Sequence, residues 1–229
     1  MPESGPSLSS EELMLQAAEI SREAAEKLAE ERQAMRQSRA EGLMSRTAIP
    51  ARYRDADLMP KTSAQVKAYA EGKAFVDGFQ DRLKTGAGMV IWGDVGTGKT
   101  HMACAIANAL IAQLRPALYC TALEAIMLVK STWKRTAGMS EYDVYGRFGE
   151  PQLLIIDEIG VQCGTDFERM VLTSIADIRS RNCLPTIIIS NLNPEEMYGV
   201  LGERMFDRLV GFGANITHMP GRSLRLRAV

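Results

Sequence analysis

Short, continuously apolar runs separated by longer stretches with apolar residues every three or four positions organise most of this chain. Met89-Val90-Ile91-Trp92, Ala117-Leu118-Tyr119-Cys120, Leu153-Leu154-Ile155-Ile156 and Thr186-Ile187-Ile188-Ile189 are the runs. Each has the length of a strand buried on both faces and is too short for a helix. Helical spacing is predicted over 100–114, 122–134 and 165–181, the last turning Phe167, Met170, Val171, Ser174, Ile175 and Ile178 inward. A further helix over 201–209 leads to a final short strand near 215–218. Strands alternating with amphipathic helices specify an α/β fold, a parallel sheet covered on both faces. Residues 131–149 interrupt the pattern with a mixed, polar stretch.

The first part of the chain reads differently. Residues 1–10 are rich in Pro, Ser and Gly, a flexible leader, and 11–41 contain strong helix formers without proline or glycine. Ser10 is a candidate cap, and Leu13, Ala17, Ile20, Ala24 and Leu28 share one face of this predicted helix. A solvated extension or weak coiled coil is one reading and a docking element for a partner is the other; composition does not separate them. Gly42 ends the run, and Ile49-Pro50 marks an extended segment because the residue before proline is pushed out of the helical region. The expected division is a helical extension over 1–45 and a nucleotide-binding domain over 46–229. A helix over 63–84 opens that domain, with Val66, Ala70, Ala74, Phe75, Phe79 and Leu83 at helical spacing.

Composition narrows the function classes. With 27 Lys+Arg against 28 Asp+Glu, nothing global attracts polyanions, so any nucleic-acid contact requires a local patch. No apolar stretch has the length of a membrane span and the first residues do not form a signal peptide, so the expected location is the cytoplasm, with no membrane partner. Cys104, Cys120, Cys163 and Cys183 are isolated and read as small hydrophobes, and His101 and His218 as structural residues rather than metal ligands.

The chemistry begins after the first apolar run. Gly93-Asp94-Val95-Gly96-Thr97-Gly98-Lys99-Thr100 satisfies the phosphate-loop pattern G-x-x-x-x-G-K-[ST] between a predicted strand and a predicted helix. Glycines let successive backbone N–H groups converge on phosphates, and the helix start adds its free donors. Lys99 is expected to reach the β and γ phosphates of ATP, and the Thr100 hydroxyl to ligate Mg2+. The third run delivers Asp157 at its carboxyl end, where it would help hold hydrated magnesium, and Glu158 is suited to act as base toward water. A solvated acidic turn is the plain alternative for that pair. Asn191, ending the fourth run, either senses the γ phosphate through its neutral amide or is simply a turn former in Ser190-Asn191-Leu192-Asn193-Pro194.

Leu153-Leu154-Ile155-Ile156-Asp157-Glu158-Ile159-Gly160, followed by Leu201-Gly202-Glu203-Arg204-Met205-Phe206-Asp207-Arg208-Leu209, resembles the DnaC-like replicative helicase loaders of bacteria and phages. These belong to the AAA+ superfamily, and the likeness runs from about Ile49 to the C-terminus. The resemblance implies an AAA+ type P-loop NTPase with a parallel five-stranded sheet between helices, here without a C-terminal helical lid because the chain ends at Val229. It implies slow, assembly-dependent ATP hydrolysis, Asn191 as the sensor, and Arg204 as an arginine finger reaching the ATP site of the next subunit in a head-to-tail assembly. Arg208, one turn later, would support the site or an interface, or form a surface ion pair. Lys130, Lys134 and Arg135 would approach single-stranded DNA, and Arg225, better than Arg222, matches the arginine of the loader tail. The N-terminal extension would grip a DnaB-like replicative helicase. A transposition or DNA-remodelling helper ATPase, or a nucleotide-gated scaffold, would use the same core.

Overall fold

Five parallel strands, β1 (Met89–Trp92), β2 (Ala117–Thr121), β3 (Leu153–Asp157), β4 (Thr186–Ser190) and β5 (Asn215–His218), pair in the order β2-β3-β4-β1-β5. They are the four apolar runs and the short final strand expected from the sequence. The computed structural model describes residues 10–134, 138–160, 165–211 and 213–224. No helix among the described residues is long and apolar enough to cross a membrane.

Because alternate strand residues point to opposite faces, the uninterrupted apolar runs supply two cores at once. On one face Val90, Leu154, Ile156 and Ile188 pack with α5 (Ala122–Ser131), α6 (Glu141–Gly149), α7 (Asp166–Arg181), α8 (Pro194–Leu201) and α9 (Glu203–Val210). On the other, Met89, Ile91, Leu153, Ile155, Ile187 and Ile189 pack with α2 (Val66–Asp77) and α4 (Lys99–Ala112). Each fully buried side chain of this size contributes about 1.5–3 kcal/mol.

The first helix, α1 (Ser10–Met44), is 35 residues long. Residues 27–39 are exposed, including Leu28 of the expected stripe, whereas Ala40, Leu43 and Met44 pack against the second core. The side chains of Leu13, Ala17, Ile20 and Ala24 lie outside the described part. After α1, the Thr47 carbonyl accepts from Tyr119 N–H at 2.7 Å, so the linker covers part of the otherwise open edge of β2.

Several boundaries differ from expectation for local reasons. The helix expected over 63–84 is two, α2 and α3 (Phe79–Thr85), because Gly78 ends one and starts the other. Its buried face is Ala68, Tyr69, Gly72, Phe75 and Val76, and Val66 is exposed. Helix α5 stops at Ser131, where the Ser131 and Thr132 hydroxyls donate to the Leu128 and Val129 carbonyls of its last turn. The polar stretch that follows contains α6, started by a reciprocal Ser140/Asp143 capping box. Likewise α8 starts at Asn193 with Pro194 and Glu196 behind it, and Gly202 at φ 77° separates it from α9.

Helix α7 buries Val171, Leu172, Ile175, Ala176 and Arg179, while Met170, expected inside, is exposed. Arg179 explains the rotated face. Its guanidinium, 1% exposed, donates to the Phe148, Pro151, Gln152 and Pro185 carbonyls and to Thr186 Oγ1, tying the end of α6 to the starts of β3 and β4. Replacing it leaves buried carbonyls without donors, each costing about 1–3 kcal/mol. Arg179→Leu is therefore expected to lose on the order of 3–5 kcal/mol in chemical denaturation; a loss below about 1 kcal/mol would contradict this role for the side chain.

Candidate functional site

The carboxyl ends of β1, β3 and β4 meet at the start of α4, the position at which open parallel sheets bind ligands. Between β1 and α4 the loop needs glycine: Gly96 has φ 81°, and a Cβ there would collide with the Ser223 hydroxyl. The chain after β5 lies against this loop, and Leu224 N–H donates to the Gly96 carbonyl at 2.9 Å. From the other side, buried Gln65 donates through Nε2 to the Thr97 carbonyl at 2.6 Å. Inside the loop the Thr97 hydroxyl donates to the Asp94 carbonyl at 2.9 Å.

Lys99 opens α4 with its ammonium folded back over the loop. It donates to the Gly93 and Asp94 carbonyls at 2.8 and 2.7 Å and to Asn191 Oδ1 at 2.8 Å. Asn191 is held in this reach by a tight turn in which Ser190 Oγ donates to the Ile159 carbonyl and accepts from Leu192 N–H. The expected loop lysine and the expected amide are thus directly bonded.

Asp157, 5% exposed, ends β3 beside them. Its Oδ2 accepts from Thr100 Oγ1 at 2.8 Å and from the Tyr119 hydroxyl at 2.9 Å, and its Oδ1 accepts from Glu158 N–H at 2.7 Å. Burial first, and the Asp157 charge second, push the Tyr119 phenol above its ordinary range, so at neutral pH it is a donor. Glu158 takes φ 60°, a left-handed conformation uncommon for a residue with a side chain, and is exposed. A hydroxyl and a carboxylate 2.8 Å apart are hard oxygen donors suited to magnesium.

Lys99, Thr100, Asp157, Glu158 and Asn191 line one cavity of about 350 Å³. Its remaining wall includes Arg52, Tyr53, Tyr69 and His101, which motif reading did not select. His101 Nδ1 lies 3.1 Å from the Tyr69 hydroxyl, and Tyr53 meets the same ring edge-on. Burial, then the Lys61 ammonium, lowers the His101 pKa. The 53–56 segment is fastened to α4 by Asn108, whose Nδ2 donates to the Tyr53, Arg54 and Ala56 carbonyls at 3.0 Å each. No cluster of three or more His, Cys, Asp or Glu able to hold a metal occurs among the described residues.

The other candidate residues lie elsewhere. Arg204 is exposed on α9 and does not line its own chain's cavity, whereas Arg208 is paired with Asp177 of α7. Lys130 and Lys134 are exposed at and just beyond the end of α5, next to Trp133, which is 60% exposed with its ring 4.7 Å from that of Phe167. Arg135 and Arg225, like Cys163, lie outside the described residues.

Known proteins resemble this chain in sequence and in fold. The Escherichia coli (strain K12) replicative helicase loader DnaC is 35% identical over 145 residues, 63% of this chain and 58% of that protein. The chain thus matches less than two thirds of that relative's length. The crystal structure of the DnaC helicase loader superposes with a TM-score of 0.64 at 21% identity, over 75% of this chain and 100% of that one. The crystal structure of DnaI does so with a TM-score of 0.61 at 19% identity, over 79% and 98%. Both superpositions show the same fold, a parallel five-stranded sheet between helices, that the sequence led us to expect. The family model described as IstB-like ATP binding protein matches residues 11–229, nearly the whole chain, and the chain belongs to that family.

Proposed function

We propose that the chain is an ATP-dependent loader of a replicative DNA helicase onto single-stranded DNA, with ATP state controlling assembly and release. The observation that carries this reading is the 35% identity to DnaC, which falls on a chain whose cavity gathers Lys99, Thr100, Asp157, Glu158 and Asn191. In this reading the loop Gly93 to Thr100 and the free amides at the start of α4 hold the triphosphate. Thr100 and Asp157 hold magnesium, which when bound neutralises charge on the phosphate oxygens. Glu158 accepts a proton from water as the water oxygen bonds to the γ phosphorus, and the bond to the bridging oxygen breaks to release ADP. The γ phosphate competes with Asn191 Oδ1 for the Lys99 ammonium, while Asn191 Nδ2 donates to that phosphate or to the water beside it, so the β4 end registers whether that phosphate is present.

Arg204 completes the site of the next subunit, a role supported by its exposure and its absence from its own cavity. Arg208 serves its own chain instead, through Asp177. Lys130 and Lys134 contact DNA phosphates, with exposed Trp133 available to stack a base; Arg135 would extend that strip. Arg225, the residue after Leu224, would act on the bound nucleotide. Residues 1–45 bind the helicase, supported by the exposure of residues 27–39 of α1. The protein works in the cytoplasm.

Pull-down with a DnaB-like helicase is expected to succeed with the full chain and fail with residues 46–229. No binding by the folded, ATP-competent full chain would remove the loader role, and ATP-stimulated preference for duplex over single-stranded DNA would favour a transposition helper. Arg204→Ala is expected to keep ATP binding and lose assembly-dependent turnover by about a thousandfold. Mixing it with Glu158→Gln subunits should restore turnover, because an intact arginine then faces an intact base; no recovery would place Arg204 outside the neighbouring site. Replacing Lys130 and Lys134 with alanine should lower the logarithmic salt slope of single-stranded DNA binding by about 1.4. An unchanged slope would exclude both from the phosphate contacts.

A further inference from the structure

Tyr119 is a polar interruption in a strand that packs into the second core, and it is 7% exposed. A buried hydroxyl requires a partner, and this one finds Asp157 Oδ2 at 2.9 Å. In the sheet Thr121, not Tyr119, lies opposite Asp157, so the tyrosine reaches forward by two residues along the β2–β3 pair to meet the carboxylate. Its backbone is held as well, by the 2.7 Å bond to the Thr47 carbonyl. The ring is therefore a fixed strut between the linker at the sheet edge and the acid at the site.

We propose that Tyr119 is a positioning residue for magnesium, acting through Asp157. The proposal rests on the reading of Thr100 and Asp157 as the magnesium-holding pair. An aspartate's terminal torsion is soft and roughly two-fold, so a carboxylate anchored at one point turns readily. Here the Tyr119 and Thr100 hydroxyls fix Oδ2 from two elements, and that orientation delivers Oδ1 to Glu158 N–H. One phenol oxygen thus sets the direction of the metal-facing acid and steadies the left-handed backbone of the candidate base. Groups that orient metal-holding carboxylates in this way typically carry a 10–100-fold effect on metal affinity or activity.

The test uses the full chain with Tyr119→Phe, which keeps the ring and deletes one oxygen. Binding of a fluorescent ATP analogue is followed across a magnesium titration and again in chelator, with thermal melting alongside. The half-saturating magnesium concentration is expected to rise about tenfold while chelator-measured nucleotide affinity stays within about twofold. An unchanged magnesium requirement, with or without a lower melting temperature, would overturn the proposal and leave Tyr119 a packing residue. Equal losses with and without magnesium would overturn it too, by indicating general damage to the pocket. Wild-type binding that ignores magnesium would instead defeat the underlying reading of Thr100 and Asp157, and the proposal with it.

Discussion

A buried carboxylate has to be matched by donors or a cation, and in this fold that demand falls on Asp157. Three parts of the structure converge to meet it: the start of α4 through Thr100, the middle of β2 through Tyr119, and the turn after β3 through the Glu158 amide. The sheet order makes the convergence possible, since β3 lies between β2 and β4 and ends level with the phosphate loop. The two apolar cores hold the strands to this arrangement, and the Arg179 guanidinium pins the opposite ends of β3 and β4 to α6. The candidate site thus lies at the carboxyl ends of the strands, and the Arg179 tie at their amino ends.

The fold was legible where periodicity was strong. Four apolar runs became three interior strands and the edge strand β2, and even the short Asn215–His218 strand fell where expected. Boundaries failed where a single residue overrode the period: Gly78 divides one helix and Gly202 separates two others. Helices α6 and α8 were hidden by few apolar residues, although Ser140-Glu141-Tyr142-Asp143 and Asn193-Pro194-Glu195-Glu196 carry capping signals. The inward face of α7 was misjudged because an arginine is ordinarily assigned to solvent; five acceptors from three chain segments make Arg179 an interior residue.

At the site, the motif residues came together as their chemistry requires, because a loop between a strand and a helix is a local structure. What escaped sequence reading came from afar. Gln65, Tyr69 and Tyr119 reach the phosphate loop or its partners from other elements, and no spacing rule links position 119 to position 157. A tyrosine within an aliphatic strand was the one available signal. Arg204 shows the converse: its motif is local, yet a single chain leaves it exposed, away from its own cavity.

The bond between Lys99 and Asn191 links the phosphate loop to the end of β4 through a contact that a γ phosphate would compete for. The most direct test of the account is a crystal structure of the chain with magnesium and a non-hydrolysable ATP analogue. The account predicts phosphate oxygens within hydrogen-bonding reach of both Lys99 Nζ and Asn191, with magnesium on Thr100 Oγ1 beside Asp157. A bound analogue whose phosphates lie away from Lys99, with its bond to Asn191 undisturbed and the metal elsewhere, would contradict it.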